Sequence, residues 1–301
     1  MSIDILAFGE ALIDVLPSGE VVGGAPLNFA TRCAEIGAAA NLRSGLASCV
    51  GQDGRGERIL AQLHDAKVDT SLVVTSAQHQ TGFVTVDVST SEAEYQFSDE
   101  PAWEHIPIPS PESLTPKLVY FGSLALKSKV NLTALQSITD NTTAIRLLDL
   151  NLRLPYPSPE LVAELLSMAT VAKCNSEELL WLASKLNLKL EREDEIASAL
   201  IEEFSLIGLL STWGREGCKW HGPDGITEET SPSFPHDLFA AHPNADTVGA
   251  GDAACAALAV NLIQQTPPKH LVRSCNLAGA FAARTQGPTH PMPAPVMELF
   301  R

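Results

Sequence analysis

The residues with the clearest chemical potential lie in Asn244-Ala-Asp-Thr-Val-Gly-Ala-Gly-Asp-Ala-Ala-Cys-Ala-Ala-Leu258. Gly249 and Gly251 flank Ala250, Asp252 follows at once, and the next residues are small and apolar, the pattern of a loop turning into the first turn of a buried helix. Glycines there let a ligand approach the main chain closely. Unpaired amides and the positive end of the dipole at a helix start suit an anion such as a phosphate. Asp252 places a carboxylate in the same turn. A base beside an anion cradle is what moving a phosphoryl group onto a hydroxyl requires. The plainer alternative is a helix N-terminus with Asp252 as its capping residue.

Other polar residues stand where strands and helices meet. Ile3 to Phe8 reads as a buried strand ending in Gly9-Glu10, with Asp14 beyond it and a turn at Pro17-Ser-Gly19. An acidic group at the carboxyl end of a core strand can accept hydrogen bonds from sugar hydroxyls; a solvated loop aspartate is the alternative. Gly23-Gly24 leads through Pro26 into a helix carrying Asn28, whose amide offers both a donor and an acceptor, and Gly37 can end it. Asp149-Leu-Asn-Leu-Arg153 follows a buried strand over 144–150. The Arg153 fork suits a phosphate, a substrate oxygen or a structural salt bridge equally.

Asn175-Ser-Glu-Glu178 reads on its own as an ordinary capped helix start after a strand. Leu206 to Thr212 is a further apolar strand, and Gly214-Arg-Glu-Gly217 turns into Cys218-Lys-Trp220. Residues 81–90 alternate and can form a hairpin with Glu94-Tyr-Gln-Phe97 across an acidic turn. Phe97 and Trp103 would face a substrate or simply pack. A helix is expected from near Glu57, and the last helix over Arg273 to Arg284, whereas Pro223 to Asn244 reads as loop.

Taken together, these segments resemble the ribokinase-like (PfkB) carbohydrate kinases over nearly the whole chain. Asp246-Thr-Val-Gly-Ala-Gly-Asp252 is similar to that family's C-terminal signature. Gly23-Gly-Ala-Pro-Leu-Asn28 is similar to the N-terminal one, in the form associated with fructokinases. Gly51-Gln-Asp-Gly-Arg-Gly56 resembles a structural glycine element of the family, and Asp149-x-Asn-x-Arg153 resembles fructokinases and 2-keto-3-deoxygluconate kinases. The resemblance implies a single three-layer α/β/α domain over 1–301, with a mainly parallel sheet and a small β lid from strands near 10–22 and 81–103. It implies ATP as phosphoryl donor, and Asp252 as base with the Gly249, Ala250 and Gly251 amides as cradle. Asp14, Gly24, Asn28 and Arg153 would hold the sugar. Thr212, Gly214, Gly217 and Asn276 would serve ATP, and Asn175 with Glu178 would organise Mg2+ through water. Asp246, with Gln286-Gly287-Pro288, would hold K+. Fructose is the leading substrate. The rivals are 2-keto-3-deoxygluconate, ribose and nucleosides, and, from a different class, a non-catalytic sugar-binding regulator.

Composition narrows the field. A net charge of −16 speaks against nucleic acid or an anionic membrane as partner. The six cysteines contain no CxxC pair, so zinc spacing is absent and buried thiols are expected. No signal peptide or membrane span is read from the sequence, which makes a cytoplasmic location the expectation. No Walker A lysine or protein-kinase set occurs, which removes those phosphotransfer folds. A lid with one apolar face is also consistent with a homodimer formed through it.

Overall fold

The computed structural model describes residues 3–16, 19–87, 94–108, 110–153, 156–232, 234 and 239–300. Outside that range fall Pro17 and Ser18 of the expected first turn, the acidic turn at 88–93, Leu154 and Pro155 after Arg153, and 233 and 235–238 of the late loop.

The first half of the chain contains β1 (Ile5–Phe8), β2 (Leu12–Leu16), β3 (Gly19–Gly23), α1 (Ala25–Ile36), β4 (Ser44–Gly51), α2 (Gly54–Asp65), β5 (Asp69–Ser76), β6 (Phe83–Asp87) and β7 (Glu94–Phe97). There follow β8 (Leu118–Gly122), α3 (Lys129–Thr139), β9 (Ile145–Asp149), α4 (Pro159–Met168), β10 (Val171–Asn175), α5 (Ser176–Lys185) and α6 (Glu193–Phe204). The last part holds β11 (Gly208–Thr212), β12 (Cys218–Gly222), β13 (Gly225–Glu229), α7 (Ala250–Gln264), α8 (Pro268–Ala282) and the short α9 (Ala294–Met297).

Nine strands form one sheet in the order β13-β12-β11-β10-β9-β8-β1-β4-β5, parallel except where β12 pairs with β11 and β13. Successive residues of β1 enter opposite cores: Ile5 and Ala7 pack with α1, α7 and α8, whereas Leu6 and Phe8 pack with α3 to α6. Burial on both faces explains why the strand is an unbroken apolar run. α7 is likewise apolar all round, and its alanines admit α1 and α8 closely on either side. All six cysteines are buried free thiols.

The second sheet has the order β3-β2-β6-β7. It rests on the large sheet through Leu12, Val84, Trp103, Leu124 and Ala125, with Phe97 against them. Trp103 and Phe97 are therefore packing residues of this junction. Asn131, which forms a glycosylation-type sequence, is fully buried and donates to the carbonyls of Trp103 and Ala125.

Three expectations are corrected. Pro223 to Asn244 is not all loop, because Gly225–Glu229 forms edge strand β13. Helix α2 starts at Gly54, since Asp53 caps it by accepting from Gly56 N–H at 2.9 Å. Helix α8 runs from Pro268 to Ala282 rather than from Arg273, and α9 follows it.

Candidate active site

β1 is the branch point of the large sheet: β4 and β5 lie on one side of it and β8 to β13 on the other. Parallel strands all present their carboxyl ends to the same rim, and the crevice at such a branch point is where open α/β sheets take ligands. The register brings functional groups together along that rim. Gly122 stands opposite Asp149, Asp149 opposite Lys173, and Asn175 opposite Thr212.

Helix α7 opens onto this rim. Gly249 is its N-cap in the left-handed region, φ +77, with no side-chain cap. A Cβ there would stand 2.6 Å from the Pro288 ring, so both the conformation and the space demand glycine. Among the described residues, the N–H groups of Gly249, Gly251 and Asp252 meet no protein acceptor. The Ala250 N–H instead turns back to the Thr247 carbonyl at 3.2 Å, so this fourth amide of the expected cradle is already committed.

Asp252 does not cap its helix. It is 8% exposed, and its Oδ2 accepts from Asn28 Nδ2 at 2.8 Å. Burial pushes its carboxyl up to about 6, and Asp149 adds to this, while Asn28, Lys173 and Arg153 oppose it. Desolvation therefore outweighs the favourable end of the α7 dipole, and the carboxylate still prevails at neutral pH.

The sugar candidates converge on the same place. Asp14 lies inside β2, a strand of the small sheet, and its carboxylate occupies the space that a Gly23 side chain would need. Burial raises Asp14 to about 6 against the opposing charge of Arg153. Gly24, with φ +106, caps α1, and any Cβ would stand 2.5 Å from the Glu10 carbonyl. Arg153 is partly buried, and its charge acts on Asp14, Glu10 and Asp252.

Asn175 and Glu178 form a complete capping box at the start of α5. Glu178 is 6% exposed, with Oε2 accepting from Asn175 N–H and Oε1 from Leu152 N–H. Among the described residues no cluster of three metal-binding side chains exists. A single carboxylate fits magnesium in its usual mode, with phosphate oxygens and water completing the shell. Asp246 accepts from Val248 N–H and Gly287 N–H, which staples together the two loops beside Gly249.

At the far end of the rim, Gly217 backs onto the Glu229 carbonyl, where a Cβ would stand 2.3 Å away. Asn276 donates to that same carbonyl at 2.7 Å, which commits its amide to joining α8 with β13. An open recess of about 600 Å³ lies beside the Thr212–Gly217 turn, lined in part by Trp213, Arg215, Lys219 and Thr230.

Several site groups have no local sequence signal. Glu10 is 4% exposed, its Oε2 has no partner, and Asn28 Oδ1 is equally unpartnered. Burial raises Glu10 to about 7. Lys173, within the apolar run of β10, pairs with Asp149 at 3.0 Å. Arg32, fully buried, donates to the carbonyls of Pro288 and His290 and so fixes the segment that backs Gly249. A charge inside an otherwise apolar strand or helix face was the only available clue to the last two.

A family model for the pfkB family carbohydrate kinases matches residues 8–295. The fructokinase of Salmonella typhimurium is 28% identical over 318 residues, covering 97% of this chain and 97% of that protein. Among solved structures, a double mutant of the Vibrio cholerae fructokinase, bound to fructose, ADP and potassium ion, superposes with a TM-score of 0.83 at 22% identity, covering 100% of this chain and 98% of that one. The Xylella fastidiosa fructokinase with bound ATP gives 0.80 at 23%, covering 98% and 97%. Among the described residues no helix is long and apolar enough to cross a membrane.

Proposed function

The chain belongs to the pfkB family of carbohydrate kinases and has their ribokinase-like fold, and on that premise we propose that it transfers the γ-phosphoryl group of ATP to a hydroxyl of a neutral sugar, with fructose the first choice. The observation that most supports this is the pair of buried, unpartnered acceptors Glu10 Oε2 and Asn28 Oδ1 beside Asp252. Buried acceptors without donors are costly, and a polyol supplies donors without adding a charge. The anionic 2-keto-3-deoxygluconate would bring another carboxylate to Glu10, Asp14 and Asp252, where the Arg153 field already acts on all three. The relatives named fructokinases are a precedent for a neutral sugar.

In this reading Asp252 accepts the proton of the attacking hydroxyl, with Asn28 holding its carboxylate in line. The Gly249, Gly251 and Asp252 amides and the α7 dipole stabilise charge on the phosphoryl group. Asp14, Gly24 and Asn28 position the sugar, and Thr212, Gly214, Gly217 and Asn276 form the nucleotide end of the rim. Glu178 and Asn175 would hold magnesium, which when bound neutralises charge on the phosphates. Asp246, spanning its two loops, is the corresponding proposal for potassium. The four-stranded sheet acts as a lid on one catalytic unit, and its free face is the surface for a homodimer.

The test is a coupled ADP-release assay with magnesium-ATP and fructose, 2-keto-3-deoxygluconate, ribose and adenosine. Turnover on fructose or ribose alone supports a neutral-sugar kinase and names the sugar. Preference for 2-keto-3-deoxygluconate overturns the electrostatic argument. Sugar binding by calorimetry without turnover on any of the four favours the regulator.

A further inference from the structure

Behind the α7 turn lies a buried ion pair that phosphoryl transfer, as described above, does not use. Lys173 Nζ is 3.0 Å from Asp149 Oδ1, with the two side chains 6% and 0% exposed. The pairing follows from register, since Lys173 and Asp149 are opposite one another on parallel strands β10 and β9. Tyr120 on β8 donates to Asp149 Oδ2 at 3.4 Å, which continues the network across a third strand. A buried pair of this kind is weak evidence for stability, because desolvation offsets most of its attraction. Its location is more informative. A Cβ built on Gly251 would stand 2.9 Å from Lys173 Nζ, so the ammonium occupies the space that a side chain at Gly251 would need, in the first turn of α7.

Resting on the kinase reading, we propose that Lys173 is a positioning residue of phosphoryl transfer: its ammonium, anchored by Asp149, is the fixed positive charge behind the Gly249–Asp252 turn and serves both the incoming phosphoryl group and the Asp252 carboxylate. An acidic chain of net charge −16 has no general basic field to attract a nucleotide. A buried cation under the helix N-terminus supplies positive charge locally, in a low-dielectric place where it acts most strongly. Gly251 is then glycine for a chemical reason, to let that charge reach the turn.

The charges around Asp252 set the sign of the test. Glu10 beyond β1, Arg32 of α1, Tyr120 of β8, Asp149 of β9, Arg153 and Lys173 of β10 all face it. Of these, Asp149 raises the Asp252 carboxyl and Lys173 lowers it. Removing either member of the pair therefore moves the acid limb of kcat/KM in opposite directions, which a merely structural role would not do.

The experiment compares wild type, Lys173→Met, Asp149→Asn and the charge-neutral double variant, using whichever sugar of the panel the wild type phosphorylates. Lys173→Met is expected to lower kcat about tenfold or more and to move the acid limb to higher pH. Asp149→Asn is expected to move the limb to lower pH. The double variant is expected to melt near wild type yet keep the low kcat. A Lys173→Met kcat within about twofold of wild type, limbs that shift in the same direction, or a double variant that regains kcat overturns the proposal alone. If Lys173→Met does not fold, the kcat of the double variant decides by itself. Failure of the wild type to phosphorylate any sugar overturns the kinase reading, and this inference with it.

Discussion

Asn28 and Asp252 sit 224 positions apart in sequence, and the amide nitrogen of one donates to the carboxylate of the other across 2.8 Å in a buried setting. Each lies in the first turns of a helix that leaves the sheet rim, α1 for Asn28 and α7 for Asp252. The contact fixes one carboxylate oxygen; on the proposed kinase reading, the other is the one that takes the substrate hydroxyl.

Asp252→Asn keeps the shape and the partner distance but removes the base. The expected result is a fall in kcat of about 10²–10⁴-fold, with little change in sugar KM. Steady-state kinetics on the sugar identified by the panel checks it, and an unchanged kcat removes Asp252 from the role.

The acid limb of the free enzyme follows from the same carboxyl. With Asp252 raised to about 6, kcat/KM should fall as pH drops through that value, because the protonated form cannot accept the hydroxyl proton. Asn28→Asp replaces a stabilising donor with a second carboxylate 2.8 Å away, so the limb should move to higher pH. A limb that stays in place in this variant would assign the profile to another group.

The outline of the fold was legible because its signals are local. Apolar runs marked β1, β9 and β11, and glycine turns marked the starts of α1 and α7. Edge strand β13 was not legible, since Gly225–Glu229 is polar and largely exposed and is a strand only through its pairing with β12. The front of α8 was missed because Lys269 and His270 lie outside its buried stripe. At the site, the glycines at 249 and 251 marked the turn that opens α7. The committed Ala250 amide, the Asn28–Asp252 bond and the Lys173–Asp149 pair depend on register and helix orientation, which no single segment encodes.

Glu10 should make stability depend on pH in a predictable sense. Burial raises its carboxyl from 4.5 to about 7. The folded state therefore binds the proton more tightly than the unfolded chain. This contribution is fully present below about 4.5 and is lost as pH rises through about 7. Glu10→Gln never carries the charge, so it should gain on wild type between about pH 5 and pH 8 by an amount on the order of 3 kcal/mol. Denaturant unfolding of both proteins at the two pH values measures this. An equal stability difference at both would show that Glu10 does not carry the linkage.

Gly23 offers a test of the sugar side that leaves the phosphoryl side untouched. On β3, facing β2, it has no side chain, and a Cβ would stand 2.2 Å from Asp14 Oδ2 and 3.0 Å from its Cγ. Gly23→Ala must therefore displace the Asp14 carboxylate while the Asn28–Asp252 contact stays in place. If Asp14 binds sugar hydroxyls, sugar KM should rise about tenfold, with kcat and the KM for ATP nearly unchanged, the pattern of lost uniform binding. Asp14→Ala should show the same pattern, and the double variant should be no worse than Asp14→Ala alone, because both changes remove one interaction. Additive losses in the double variant would place Asp14 outside the sugar contact and leave Gly23 a role in lid packing only.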